Sequence, residues 1–136
     1  MNINKKLYIF ISIVFLFLLT IACGFSVSTA NIKDAYMARA SDNGLEKVDT
    51  FTQDETLLCY VALANAPDDT TVSATWYAVD VEGVDPNFLI DETSITTGEN
   101  DVFFDLTNDN YWPAGSYRVD IFLNEEFSQS VEFTVQ

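Results

Sequence analysis

The chain has 136 residues, and its 21 Asp and Glu outweigh six Lys and Arg to give a formal net charge of −15. A surface this acidic repels phosphate backbones, so nucleic acid is excluded as an expected partner. Histidine is absent, which removes the commonest general base and the commonest transition-metal ligand.

The first residues have the three parts of a secretory signal. Lys5 and Lys6 precede an apolar run of 16 residues, from Leu7 to Ala22, and Cys23 follows. A membrane-spanning helix needs about 20 apolar residues, so this run is marginal for a permanent span. A basic start and a short apolar core are typical of a signal that is removed.

The sequence LTIAC at residues 19–23 resembles the lipobox of bacterial lipoproteins, in which a cysteine is lipidated and becomes the new N-terminus. Thr20 departs from the pattern, because lipoproteins usually have Leu there. The resemblance implies a lipid anchor on Cys23, at the cell membrane or outer membrane, facing the periplasm or the exterior. An uncleaved N-terminal anchor and ordinary cleavage near Ala30 are the alternatives.

The sequence divides into a signal peptide (1–22), a polar tether (23–33) and one compact domain (34–136). Removing Lys5 and Lys6 with the signal takes the net charge from −15 to −17.

If Cys23 carries lipid, Cys59 has no partner for a disulfide. A lone cysteine in an apolar strand pattern is usually an inert small hydrophobe.

After the tether, hydrophobic residues recur with a period of two, which indicates β-strands. About seven short strands between Pro- and Gly-containing turns predict an all-β, two-sheet antiparallel sandwich. The segment 48–52 is expected to continue the first strand after a turn, and 88–90 is expected to be a short piece. The predicted segments are 34–39, 48–52, 56–64, 71–79, 88–90, 102–106, 117–124 and 127–135.

Three positions resemble the Cys…Trp…Tyr-x-Cys pattern of immunoglobulin domains: Cys59, Trp76 and Tyr117-x-Val119. The resemblance implies an immunoglobulin-like sandwich with Trp76 in its core. Val119 replaces the second cysteine, so packing around Trp76 would replace the bridge. Tyr117 is either a tyrosine corner, bonded to the backbone near residues 113–115, or a plain core tyrosine.

The chain also resembles an uncharacterised module of bacterial secreted proteins and lipoproteins. The resemblance rests on ATWYAVDVEGVDPN (74–87), FDLTND (104–109) and WPAGSYRVDIFLN (112–124), and implies an immunoglobulin-like fold with no known activity. Residues 124–126 read Asn-Glu-Glu where such modules commonly have Asn-Gly. A tight type I′ turn needs positive φ at both central residues, so we expect a longer or looser hairpin here.

Strand alternation places aromatic side chains on both outer surfaces of the predicted sandwich. Tyr77 and Phe122 would be neighbours on one sheet, and Tyr60 and Phe103, with Leu58, on the other. Contiguous exposed aromatics can mark a contact surface for a protein or a glycan. Coverage by the N-terminal segment is the alternative.

Calcium is the one cofactor that the sequence suggests, because hard cations bind several loop oxygens. The candidates are Asp80, Glu82 and Asp85 in one segment and Asp105 and Asp109 in another. Neither segment has EF-hand spacing, and solvated loop acids are the alternative.

The sequence therefore predicts a lipid-anchored, non-catalytic binding or structural module. The alternative is a calcium-dependent adhesion or carbohydrate-binding domain, and a third possibility is a small hydrolase that uses two carboxylates.

Overall fold

The computed structural model describes residues 28–136; the expected signal peptide and Cys23 lie outside them. The described residues form nine β-strands, and they include no helix that is long and apolar enough to cross a membrane. The strands are β1 (Asn31–Ser41), β2 (Gly44–Lys47), β3 (Thr50–Phe51), β4 (Leu57–Ala64), β5 (Thr70–Val81), β6 (Phe88–Thr97), β7 (Asp101–Leu106), β8 (Gly115–Leu123) and β9 (Glu126–Val135).

The strands form two sheets that enclose one core. One sheet has four strands in the order β2-β1-β4-β7, and the other has five in the order β3-β9-β8-β5-β6. Neighbouring strands are antiparallel, apart from the short parallel pair of β3 and β9. The predicted all-β, two-sheet sandwich is confirmed.

Trp76 lies at the centre of this core, 1% exposed. It pairs across strands with Val119 and packs edge-on against Phe133, with ring centroids 6.1 Å apart. Cys59 is a free cysteine in the same core, and burial raises the pKa of its thiol to about 12. Hydrocarbon packing therefore holds the two sheets together where many immunoglobulin domains have a disulfide.

Tyr117 forms a tyrosine corner, one of the two roles that the sequence allows for it. Its side chain is buried, and its hydroxyl donates a 2.6 Å hydrogen bond to the carbonyl oxygen of Pro113. The ring stacks on Phe133 at 5.5 Å and meets Trp112 edge-on. The corner thereby fixes the β7–β8 connection against the core.

The N-terminal part differs from the prediction in two ways. Strand β1 begins at Asn31, so residues 31–33 of the expected tether belong to the sheet. The expected continuation at 48–52 is wrong, because β2 forms the hairpin with β1 and β3 crosses to the other sheet, where it pairs with β9. Local alternation does not reveal which sheet such a short strand joins.

Strand β6 is also longer than predicted. The expected piece at 88–90 is the start of a ten-residue strand. It is an edge strand whose side chains are mostly exposed on both faces, so its sequence lacks the alternation that marks a half-buried strand.

The β8–β9 hairpin is tight, and the expectation of a looser turn is wrong. Leu123 pairs directly with Glu126, so the loop has two residues, and both have positive φ: 49° at Asn124 and 69° at Glu125. Two hydrogen bonds hold Asn124 to Thr71: its N–H donates to the Thr71 carbonyl (2.8 Å), and its Oδ1 accepts from the Thr71 N–H (3.0 Å). These contacts with β5 fix the turn without a glycine.

Candidate contact surfaces

Three aromatic side chains lie side by side on the outer face of the four-stranded sheet. Tyr36 of β1 pairs with Tyr60 of β4, which pairs with Phe103 of β7. Neighbouring ring centroids are 4.9 Å and 5.4 Å apart. We call Tyr36, Tyr60 and Phe103 the aromatic row; it forms a continuous apolar strip across three strands.

Side chains of opposite charge contact two members of the aromatic row. The Lys47 ammonium lies 5.0 Å from the centre of the Tyr36 ring, which is cation–π geometry. The hydroxyl of Tyr60, the middle residue of the row, donates a hydrogen bond to Asp101. That hydrogen bond is the main reason why the pKa of Tyr60 is raised to about 12, so the hydroxyl stays a neutral donor.

The alternation of hydrophobic and polar residues predicts that Tyr60 and Phe103 share an outer sheet face, and in the structure their rings are in contact. Tyr36 was missed, because the sequence marks β1 only as a weak strand and does not specify its pairing with β4. Among the described residues, the start of the chain forms β1 within the sheet and does not lie over this face. Phe103 remains 47% exposed.

Tyr77 and Phe122 share the outer face of the five-stranded sheet, but they are not neighbours. Tyr77 lies opposite Arg118 and Phe122 lies opposite Ser73, so they are separated by about 13 Å along the strands, at roughly 3.3 Å per residue. The Arg118 guanidinium covers the Tyr77 ring at 4.7 Å. Phe122 packs edge-on against Phe127, with centroids 5.8 Å apart.

A shallow depression of about 380 Å³ lies between Tyr77 and Phe122. Its floor is polar, and the hydroxyls of Ser73 and Ser94 lie 2.6 Å apart across β5 and β6. The depression is lined by Thr71, Ser73, Thr75, Tyr77, Glu92, Ser94, Phe122 and Glu125.

The calcium candidates do not form a cluster. Asp80 lies in β5 opposite Ser116, and Asp105 lies in β7 opposite Leu58. The other three, Glu82, Asp85 and Asp109, are exposed residues of two connections. Within residues 28–136, no group of three or more carboxylate or cysteine side chains is arranged to hold a metal ion.

An ion pair that the sequence did not reveal joins β1 to the connection before β4. The Arg39 guanidinium donates two hydrogen bonds to the Glu55 carboxylate and a third, of 3.0 Å, to the Thr50 carbonyl. The carboxylate also accepts the Thr52 N–H at 2.6 Å. Chiefly because of the bond from Arg39, the pKa of Glu55 is lowered from 4.5 to about 2.

No protein-family model and no curated protein matches the sequence. Among solved structures, the chain is similar to an immunoglobulin-like protein from Pseudomonas aeruginosa, with a TM-score of 0.56 and 12% identity over 82% of this chain and 99% of that one. It is also similar to part of a β-glucosidase mutant from Listeria innocua in complex with laminaribiose, with a TM-score of 0.52 and 18% identity.

The alignment covers 83% of this chain but spans only 17% of the β-glucosidase. At these identities the likeness extends to the fold alone. The domain is an immunoglobulin-like β-sandwich.

Proposed function

We propose that this protein is a lipid-anchored, extracytoplasmic module that acts by binding a partner protein and has no catalytic role. The aromatic row is the observation that carries the proposal. Tyrosine and other large aromatic side chains dominate contact energies at protein interfaces, because they bury much area at a low cost in side-chain entropy. A strip of three such rings, with Lys47 at its Tyr36 end and Asp101 bonded to its middle ring, offers both affinity and orientation.

The lipid anchor is supported by the lipobox-like sequence that ends at Cys23. Only seven residues separate Cys23 from the first strand residue, Asn31. A lipid-anchored module with a short spacer requires a fold that begins soon after the cysteine, and this domain does so.

The non-catalytic role is supported by the available side chains. The whole sequence has no histidine, and the thiol of Cys59 is buried with its pKa raised to about 12. The sequence therefore lacks an imidazole base, and residues 28–136 offer no accessible thiolate to serve as a nucleophile.

Replacing Phe103 with Glu tests the contact surface. The substitution places a charge in the aromatic row at a position that is 47% exposed, so folding should be retained. Tyr111→Glu is the matched control, because Tyr111 is 73% exposed and lies outside the row. Immobilised wild-type domain and the Tyr111 variant should retain a common protein from a detergent extract of the source cells, and the Phe103 variant should lose it.

The melting temperature of each variant checks that the fold survives. The proposal would be contradicted if the Phe103 variant kept its partner, or if wild-type protein retained nothing specific.

A second candidate function is carbohydrate binding in the depression between Tyr77 and Phe122. Two aromatic walls and a floor of hydroxyls suit a neutral sugar, and Glu92 and Glu125 would accept hydrogen bonds from its hydroxyls while repelling anionic ligands. Calorimetric titration with neutral oligosaccharides, for wild type and Tyr77→Ala, separates the two candidates. Binding that Tyr77→Ala abolishes and Phe103→Glu leaves intact would favour the sugar.

A further inference from the structure

We propose that the open edge of β6 binds a basic, extended segment of a partner protein, which adds to the five-stranded sheet as a further strand. The inference depends neither on the lipid anchor nor on the aromatic row. It follows from an unpaired strand edge, an apolar pocket beside one end of that edge, and the sign of the charges around both.

Strand β6 has ten residues and is longer than β2, β3 and β7, the other strands at the sheet edges. It pairs only with β5, so the backbone N–H and C=O groups that point away from β5 have no partner strand among the described residues. Such a row of groups is a template for an added strand. Phe88 and Leu89 are 53% and 49% exposed, so apolar surface accompanies the start of this open edge.

An apolar pocket of about 140 Å³ adjoins the start of β6, with Phe88, Trp112 and Tyr117 in its lining. The Trp112 indole N–H donates to the Glu55 carbonyl oxygen at 3.1 Å. The Tyr117 hydroxyl donates to the Pro113 carbonyl oxygen, so both aromatic donors are already used. An apolar cavity of about 150 Å³ is large enough for a benzene ring. The pocket therefore suits one aliphatic or aromatic side chain of the added segment.

The charges around the open edge are all negative. Every charged side chain between positions 48 and 117 is an Asp or a Glu. This stretch includes β5, β6 and the two connections beside the pocket, which carry Glu82, Asp85 and Asp109. The Lys and Arg side chains of residues 28–136 lie on β1, β2 and β8. The open edge therefore favours a segment that carries Lys or Arg.

Two features of β6 select against a neutral or acidic strand. The register with β5 shifts between Trp76 and Tyr77, which leaves Ile90 as an extra residue in a bulge. Asp91 lies opposite Trp76, whose side chain is in the core, so Asp91 is on the inner face of an edge strand. Bulges and inward-facing charges keep unwanted strands away from sheet edges. A Lys or Arg on the added strand would neutralise Asp91 and remove this obstacle.

A second copy of this chain fits the open edge poorly. Antiparallel pairing of two β6 strands would bring Asp91 and Glu92 of both copies together near the centre of the pair, and like charges on paired strands are destabilising. Each copy would also bring a net charge of −17 from residues 28–136. The charges thus favour a cationic partner over self-association.

Peptide selection against the full chain tests the proposal. Random ten-residue peptides displayed on phage are selected on the protein held in detergent micelles. The enriched peptides should carry a Lys or Arg close to a large apolar residue, and the best of them is synthesised for titration. No enrichment, or enrichment of peptides without Lys or Arg, would overturn the proposal.

Asp91→Lys should weaken the binding of that peptide at least about tenfold, because it places like charges side by side. Asp42→Lys is the matched control: it changes the net charge equally, but in the β1–β2 turn of the other sheet, where screening should limit the effect to less than about twofold. A peptide with Glu in place of its Lys or Arg should bind Asp91→Lys better than wild type. Equal losses from the two substitutions would mean that only net charge matters, and would overturn the assignment to β6.

Hydrogen exchange on the wild-type protein locates the peptide even if Asp91→Lys fails to fold. Saturating peptide should slow amide exchange in residues 88–97 at least about tenfold. Strand β2, at an edge of the other sheet, is the internal control and should be unaffected. Protection confined to any part of the chain other than β6 would overturn the proposal.

Discussion

Glu125 is the residue whose backbone conformation least suits its side chain. Its φ of 69° lies in the left-handed region, which costs a residue with a Cβ roughly 1–2 kcal/mol. Glu125→Gly should therefore raise the free energy of unfolding by about 1 kcal/mol, after allowance for the greater freedom of glycine in the unfolded chain. Urea denaturation of the mature domain measures the change.

The neighbouring residue provides the control. Asn124 has similar backbone strain, but its side chain also holds Thr71, so Asn124→Gly should give no comparable gain. If Glu125→Gly instead lowered the free energy of unfolding, the Glu125 carboxylate would make a contact that stabilises the fold by more than the backbone strain costs.

Glu55 makes the stability of the domain depend on acid pH. Its pKa falls from 4.5 in the unfolded chain to about 2 in the fold, so its contribution is fully present above about pH 4.5 and is lost as the pH falls towards 2. Glu55→Gln should cost about 1 kcal/mol at pH 7, a small value because the ion pair is partly exposed and screened by solvent. The difference from wild type should shrink as the pH falls from 4.5 to 2.

Unfolding curves at several pH values measure this effect, with Glu99→Gln in an exposed loop as the control. A Glu55→Gln penalty that stayed constant down to pH 2 would show that the side chain stabilises by packing rather than by charge.

At the scale of whole elements, β6 is the least buried of the long strands in the described fold. It pairs only with β5, and most of its side chains are exposed. Amide hydrogen exchange should therefore be many-fold faster in residues 88–97 than in the central strand β4, whose alternate side chains are fully buried. Mass spectrometry of proteolytic peptides gives both rates. Equal protection would indicate that another chain covers the open edge of β6.

The β-strands with one buried face could be predicted from the sequence. Hydrophobic and polar residues alternate along them, and the hydrophobic ones face the core. The burial of Trp76 was likewise predictable from a pattern of spaced residues, whereas the same pattern left Tyr117 either as a corner or as a plain core tyrosine. Alternation does not predict on which face of the sheet Phe127 lies. A register shift between Ile121 and Phe122 on β8 brings Phe127 to the outer face, where it is 60% exposed, and a shift of one residue reverses the face of each side chain beyond it.

The candidate site was only partly predictable for a related reason. Tyr60 and Phe103 lie on strands with clear alternation, so their shared face could be inferred. Tyr36 completes the aromatic row through the pairing of β1 with β4, and the Arg39–Glu55 pair depends on contacts between distant segments. Neither arrangement leaves a local pattern in the sequence.

At the scale of the whole molecule, charge is the dominant property. Residues 28–136 carry a net charge of −17, and self-repulsion of this size destabilises a compact state unless salt screens it. The melting temperature should therefore rise as sodium chloride increases from about 10 mM to 500 mM, over which the screening length falls several-fold. Sodium sulfate is a poor substitute because it also strengthens apolar burial. A melting temperature that fell with salt would mean that ion pairs outweigh the repulsion.

The free thiol of Cys59, which shares the core with Trp76 and Val119 and has no disulfide partner among the described residues, has a practical consequence. The described domain needs no oxidant, no disulfide isomerase and no particular redox poise to reach its folded state, since no disulfide joins its two sheets. It should mature equally well in a reducing cytosol and at an oxidising cell surface, and dithiothreitol should leave its unfolding curve unchanged.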